Sequence, residues 1–188
     1  TNGLCLCWHN LYTAIDERRR FERPFTEIII EPMNANVTWL SFPSPVGTLT
    51  AFAVNAKLTV LEWGRAPEPD KSPPPLLHKI RDQLNAYFDG QLTNFDLPLA
   101  PAGSDFQRSV WRTMSEIPYG ETRSYGDLAA DLGSAARAVG TACGKNPIPI
   151  IIPCHRVLGA GGSLTGYSGG AGTETKVQLL RLEGISLI

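Results

Sequence analysis

The chain has 188 residues, 43% hydrophobic and 19% charged, which is enough to bury a substantial core as one large domain or two small ones. Its formal net charge is −1, with 9 basic and 11 acidic side chains in residues 1–104 and 8 basic and 7 acidic in residues 105–188. That balance excludes a protein held on nucleic acid by bulk electrostatics, so any DNA contact rests on a few placed cations and has a shallow salt dependence.

No apolar run reaches the roughly 18 residues of a membrane span. No basic head followed by an apolar core marks a secretory leader. Cys5, Cys7, Cys143 and Cys154 lack the spacing of a disulfide framework, which points to a reducing, cytoplasmic setting.

Residues 1–32 hold a mixed-charge block, DERRRFER, without periodicity. They read as a weakly structured extension, with Met33 as a candidate translation start. Residues 37–64 alternate apolar and polar side chains and are rich in Val, Thr, Trp and Phe, which predicts an antiparallel meander of three strands turning at SPVG and NAK. A proline-rich loop, residues 66–75, leads to Leu76, Leu77, Ile80, Leu84, Tyr87 and Phe88 at helical spacing, stopped by Gly90. Tyr87 and Phe88 read as core. Residues 33–98 form a predicted sheet-and-helix domain, and 99–105 a linker.

Residues 106–188 form a predicted second domain. Phe106, Val110, Trp111, Met114 and Ile117 mark one helix. Ser124-x-x-Asp127 has the form of a capping box and opens a second over 125–132, ended by Gly133. Ser134 is the expected cap of a third helix, AARAVGTACGK, ended by Asn146 and Pro147. Two short helices across a tight Gly turn predict a helix-turn-helix. The fold class expected is therefore α+β, with a winged-helix-like C-terminal domain. The third helix is lined with small residues and cannot reach far to base edges, although it can approach a backbone or a narrow groove closely. A last helix starts at Thr173 and Glu174, packs through Val177, Leu179, Leu180 and Leu182, and ends at Gly184. Glu183 is then an acid at a helix C-terminus, a mildly unfavourable place that hints at function.

Residues 146–157 read NPIPIIIPCHRV, an apolar, proline-bracketed run ending on Cys154, His155 and Arg156. A lone buried cysteine is usually an inert small hydrophobe. Beside an imidazole it can become a nucleophile. On the pair alone three readings compete: a packed thiol, a cysteine hydrolase needing an oxyanion hole, and a helix-turn-helix binding module with Cys154 as a redox sensor.

The segments FQRSVWRTMSEIPYGETRSYGDLA, AARAVGTACGKNPIPIIIPCHRV, GYSGG and LLRLEG decide between them. Residues 106–184 resemble the O6-alkylguanine-DNA alkyltransferases, direct-reversal repair proteins also called methylated-DNA–protein-cysteine methyltransferases. The resemblance implies irreversible, single-turnover transfer of an alkyl group from O6-alkylguanine, with O4-alkylthymine as a further candidate, to Cys154 after base flipping. It implies that His155 is the base acting through a water, that Glu183 orients His155, and that Asn146 ties the reader helix to the active-site loop. Tyr125 would rotate the target phosphate and donate towards guanine N3, and Arg137 would fill the vacated stack. Backbone carbonyls of Cys154 and Val157 would accept from the exocyclic amine, and Ser168 would donate to O6. Ser134, Ala135, Tyr167 and Cys143 complete the implied DNA and base contacts.

The implied partner is double-stranded DNA gripped in the minor groove by a monomer, with no membrane association. The implied location is the cytoplasm, or the nucleus in a eukaryote. No cofactor is implied. Cys5, Cys7, His9 and His78 could be imagined as a structural zinc set, but C-x-C-x-H is not a standard finger spacing. Two features depart from the family pattern. The loop Ala171–Thr175 is two residues longer than expected, which bears on pocket width. Cys143 stands where a larger apolar residue is usual, and is expected on the pocket wall with an ordinary thiol pKa of about 8.5.

Overall fold

The computed structural model describes residues 37–69, 72–164 and 166–186. The extension, Met33, Cys5, Cys7 and His9 lie outside the described residues. Strands β1 (Val37–Phe42), β2 (Leu49–Val54) and β3 (Lys57–Trp63) form an antiparallel sheet in the order β1-β2-β3. The β2–β3 turn is the two-residue Asn55-Ala56, both in the left-handed region at φ 50° and 57°. This is the primed turn whose twist suits a hairpin. A register shift at Phe52/Ala53 turns β3, so that Leu58 and Leu61 are both buried although three residues apart. Helix α1 (Pro75–Phe88) buries Leu77, Ile80, Leu84 and Tyr87, and Gly90 at φ 69° ends it.

The free edge of β3 is where the two halves of the chain meet. Leu58 donates to Pro98 O (2.8 Å) and accepts from Ala100 N (2.8 Å), which pins the segment after residue 96 to the sheet. Leu61 N donates to Pro147 O (2.9 Å), so the sheet edge also holds the loop that carries Cys154. An edge strand left unpaired would be a liability, and here its polar groups position the chain's most chemical segment.

Helix α2 (Asp105–Ser115) opens with a complete capping box between Ser104 and Gln107 and buries Val110, Trp111 and Met114. Ile117 is buried just beyond it, whereas Phe106 is exposed. Helices α3 (Tyr125–Asp131) and α4 (Ala136–Gly144) form the helix-turn-helix. The Ser124–Asp127 capping box is complete, with both bonds made. Ser134 does not cap α4: the N-cap is Ala135, with no side-chain cap bond, and Ser134 N instead donates to Ala129 O (2.9 Å) to close the turn. Two-residue strands β4 (Arg123–Ser124) and β5 (Val157–Leu158) pair in parallel. They lock the start of α3 to the residues following Cys154. Helix α5 (Thr173–Leu182) closes the chain and buries Thr175, Lys176, Leu179 and Leu180. Val177 and Leu182, expected to pack it, are only partly buried. The architecture is α+β, a small sheet with one helix followed by a helical domain containing a helix-turn-helix, and one buried cluster runs from Phe42 to Leu179.

Gly103 shows how tightly the connection is seated. A Cβ there would lie 2.6 Å from Trp111 Cη2, and that indole cannot retreat because its Nε1 donates to Ala142 O at 2.9 Å. Gly103→Ala is therefore expected to lower unfolding free energy by about 1–3 kcal/mol through overpacking, read by urea denaturation. An unchanged midpoint would mean that the connection is free to move.

Candidate active site

The loop from Asn146 to Pro153 is built to hold one shape. Asn146 acts as a clasp: its Nδ2 donates to Ile152 O (2.8 Å) and its Oδ1 accepts from Ile148 N (3.0 Å). Ile152 N donates to Ile148 O and Cys154 N to Ile152 O. Ile150 sits at φ 73°, a region that costs a β-branched residue on the order of 1–3 kcal/mol. Burial of Ile148, Ile150, Ile151 and Ile152 offsets that strain. Pro147, Pro149 and Pro153 fix φ and remove donors that such a backbone could not satisfy. Cys154 then opens a single 3₁₀ turn, Cys154–Arg156, with its side chain only partly covered.

The next two residues of that turn point inward onto one carboxylate. His155 Nε2 lies 2.8 Å from Glu183 Oε1. Arg156 donates from Nε to Oε2 (2.8 Å) and from Nη2 to Oε1 (2.9 Å), while its Nη1 donates to Ile117 O (2.6 Å). Tyr87 Oη, from α1, donates to Oε1 at 2.7 Å, and Gly120 N to Oε2 at 3.3 Å. Burial alone would raise the Glu183 pKa, but hydrogen bonds from His155 and Arg156 prevail and hold it at about 2. Glu183 is thus ionised and can only accept, which assigns the His155 proton to Nε2 and the lone pair to Nδ1. Nδ1 is buried without a hydrogen-bond partner among the described residues. Burial pushes the His155 pKa down, against the pull of Glu183, so the ring is neutral at physiological pH. Burial also pushes the Cys154 thiol up, opposed by the Asn146 side chain and by Lys176. Cys154 is therefore a thiol that needs a base, and the residue next to it carries an unused imidazole lone pair.

An open pocket of about 420 Å3 lies between Tyr125, Gly140 and Gly144 on the helix-turn-helix and Gly166, Tyr167 and Ser168 on the glycine-rich loop. Tyr125 is partly buried, and burial followed by the nearby Cys143 and Cys154 pushes its pKa to about 12, so it stays a neutral donor. Arg137 and Ala135 are exposed, Arg137 on the outer face of α4 with Thr141 and Gly144, and Ser134 is partly covered. Tyr167 Oη is buried with no hydrogen-bond partner among the described residues. Cys143 is placed differently from the expectation. It lies on the inner face of α4 with Val139 and Ala142, its Sγ 3.4 Å from Met114 Sδ, and Gly140 and Gly144 take the wall instead. Burial pushes its thiol pKa to about 12, not the ordinary value.

Three residues at this site were not singled out from sequence. Tyr87 and Arg156 complete the Glu183 cluster. Lys176, fully buried on α5, donates from Nζ to Val157 O at 2.6 Å, and burial lowers its pKa while Cys154 and Cys143 oppose that shift. The signal for Lys176 is its spacing: Lys176, Leu179, Leu180 and Glu183 fall at i, i+3, i+4 and i+7, one helical face.

Residues 105–185 match the family model described as the 6-O-methylguanine DNA methyltransferase DNA binding domain, and residues 37–101 the one described as the ribonuclease-like domain of the same proteins. A methylated-DNA–protein-cysteine methyltransferase of Mycobacterium tuberculosis is 48% identical over 154 residues, covering 78% of this chain and 92% of that protein. The crystal structure of Mycobacterium tuberculosis OGT in complex with DNA superposes with a TM-score of 0.69 at 50% identity, over 77% of this chain and 91% of that one. An O6-methylguanine DNA methyltransferase from Methanococcus jannaschii gives a TM-score of 0.60 at 26% identity, over 79% and 95% of the two chains.

The Tyr87 bond to an ionised carboxylate should contribute about 1.5–3 kcal/mol to stability. Because it helps to depress the Glu183 pKa from 4.5 to about 2, that contribution is complete above pH 4.5 and is lost as pH falls towards 2. Urea denaturation of the native chain and Tyr87→Phe should therefore differ at pH 7, and the gap should narrow on acidification through this window. A gap independent of pH would assign Tyr87 to packing alone.

Proposed function

The chain belongs to the 6-O-methylguanine DNA methyltransferase family, and from that premise we propose that it repairs O6-alkylguanine in double-stranded DNA by moving the alkyl group irreversibly onto Cys154. The observation that carries this reading is the neutral His155, held through Nε2 by Glu183, with its Nδ1 lone pair unused in the residue that follows the rigidly held Cys154. His155 Nδ1 accepts the thiol proton through a water. The sulfur then attacks the alkyl carbon as the carbon–O6 bond breaks, and that electron pair remains with the guanine. The product is a thioether with no route back, so each protein molecule acts once. Rigidity of the Asn146–Pro153 loop supplies orientation, which is worth several powers of ten in rate.

The target base must leave the stack to reach the pocket. Tyr125 rotates its phosphate and donates towards N3, and Arg137 fills the gap. The exposed small-residue face of α4, beginning at Ser134 and Ala135, suits close approach to the minor groove. Carbonyls of Cys154 and Val157 accept from the exocyclic amine. Val157 O already takes one bond from Lys176, and its second lone pair is the one left for the base. Ser168 donates to O6, and Tyr167 forms the apolar side of the pocket. Residues 33–98 and 106–188 act as two domains joined by 99–105, and the protein works as a cytoplasmic monomer without a cofactor.

Intact mass after mixing with an O6-methylguanine duplex should show one added methyl per chain, mapped by peptide mass to Cys154, and none in Cys154→Ala. Turnover beyond one equivalent, or a methyl on Cys143, would refute this assignment. His155→Ala should slow transfer by about 10²–10⁴-fold while DNA affinity holds.

Loss of Arg137 should act through flipping. Arg137→Ala should hurt repair of duplex DNA far more than reaction with free O6-benzylguanine, compared by single-turnover rates, whereas Tyr125→Phe, which also removes the donor to N3, should slow both. Equal losses on both substrates in Arg137→Ala would move that residue into the pocket chemistry instead.

A further inference from the structure

The pocket has two walls of different stiffness. One is helical: Tyr125 on α3, with Gly140 and Gly144 on α4. The other is the segment Gly166–Gly172, with Gly166, Gly170 and Gly172 at φ 54°, 53° and 67°. A backbone so rich in left-handed glycines has little stiffness of its own. Its internal ties are few. Gly172 N donates to Gly169 O at 2.8 Å, and Ala171 N to Thr175 Oγ1 at 2.9 Å.

What holds this wall comes from the other half of the chain. Trp63, the last residue of β3, has its indole seated against the loop. A Cβ at Gly169 would lie 2.5 Å from Trp63 Cζ3 and 2.6 Å from Cη2, and one at Gly170 would lie 2.8 Å from Nε1. At Gly169 only glycine fits while the indole is there; at Gly170 Thr175 Oγ1, 2.6 Å from such a Cβ, and a φ of 53° exclude a side chain as well. The same ring meets Tyr167 edge-on, with centroids 6.3 Å apart at 84°, and Tyr167 lines the pocket. The indole is itself fixed, because Nε1 donates to Val46 O at 2.9 Å in the β1–β2 turn. Trp63 does not line the pocket. It braces the residues that do.

Resting on the alkyltransferase reading, we propose that Trp63 is a specificity-determining positioning residue: by bracing the Gly166–Gly172 wall it limits the size of the alkyl group that the pocket accepts. The helical wall cannot yield, so a larger adduct fits only if the loop retreats, and the loop retreats only if the indole lets it. A methyl group asks for no such movement. Adduct size is therefore governed from the N-terminal sheet.

The test is single-turnover transfer from duplexes carrying O6-methylguanine or O6-benzylguanine. In Trp63→Ala the benzyl-to-methyl rate ratio should rise about tenfold while methyl transfer stays within about threefold of native. Trp63→Leu keeps apolar volume on the core but removes the ring from the loop, and it carries the same expectation should the alanine variant fail to fold. Gly169→Ala should lower the melting temperature of the native chain, and should lower that of a Trp63 variant by much less, because the clash it creates is with the indole. An unchanged ratio in a folded Trp63 variant, a parallel fall of both rates, or a Gly169→Ala chain as stable as native would each overturn the proposal. If the native chain transfers no methyl at all, the proposed function fails, and the difference between the Gly169→Ala melting shifts in the native and Trp63-variant backgrounds still reads the Trp63 brace by itself.

Discussion

A carboxylate taken out of water costs several kcal/mol unless its lone pairs are met by donors and its charge by a cation. Glu183 is buried, and its two oxygens accept from Tyr87, Gly120, His155 and two nitrogens of Arg156. Those donors come from α1, from the turn after α2, and from the 3₁₀ turn at Cys154, while the acceptor ends α5. Segments spanning residues 87 to 183 in sequence are thus tied at a single point. A network of this kind rigidifies when complete and is costly when any member is missing. The same atoms that let the fold close also set the tautomer of His155, so stability and chemistry draw on one arrangement. An acid at a helix C-terminus faces the negative end of the dipole. Here the Arg156 guanidinium offsets that, which is how a locally unfavourable residue comes to sit where function needs it.

The active-site loop obeys a related logic. Ile150 in the left-handed region and three prolines make a backbone that no regular element would adopt. It survives because four isoleucines bury their side chains, Asn146 bonds both ends, and the edge of β3 supplies a donor to Pro147. The sheet therefore serves the site twice. Leu61 N holds the loop that carries the nucleophile, and Trp63, two residues on and facing the same side, holds the loop that shapes the pocket.

Much of this was legible in the sequence, for reasons that can be named. Alternation over residues 37–64 encodes a half-buried sheet, and Ser124-x-x-Asp127 followed by Gly133 encodes a helix start and stop. Both depend on neighbours a few residues apart. The β4–β5 pair was not legible, because two-residue strands carry no period. Ser134 looked like a cap by type, but the chain begins its helix one residue later and spends the Ser134 amide on Ala129. Helical spacing marks Tyr87 as core. That is where it sits, yet a buried phenol needs a hydrogen-bond partner, and no local pattern says that the partner is 96 residues away. A place in the last turn of α4 suggests the pocket for Cys143. Its period with Val139 and Ala142 puts it on the inner face instead. A lysine on a helix is usually solvated, yet the spacing of Lys176 with Leu179, Leu180 and Glu183 places it inside.

The pairing of Arg156 with Glu183 also bears on the proposed role of His155 as a base. A lone carboxylate 2.8 Å from an imidazole would favour the imidazolium, and a protonated ring has no lone pair to offer a thiol. Burial opposes that protonation most, and the charges of Arg156 and Lys176 oppose it further. What remains of Glu183 for His155 is a hydrogen-bond acceptor that fixes the ring and selects the tautomer. The imidazole therefore rests neutral, with no proton on Nδ1. Cys154, pushed up by its own burial, likewise rests as the thiol. Charge separates only when the thiol gives up its proton, and at that moment the Asn146 side chain and the nearby Lys176 lie on the sulfur's side of the transfer, where negative charge would develop.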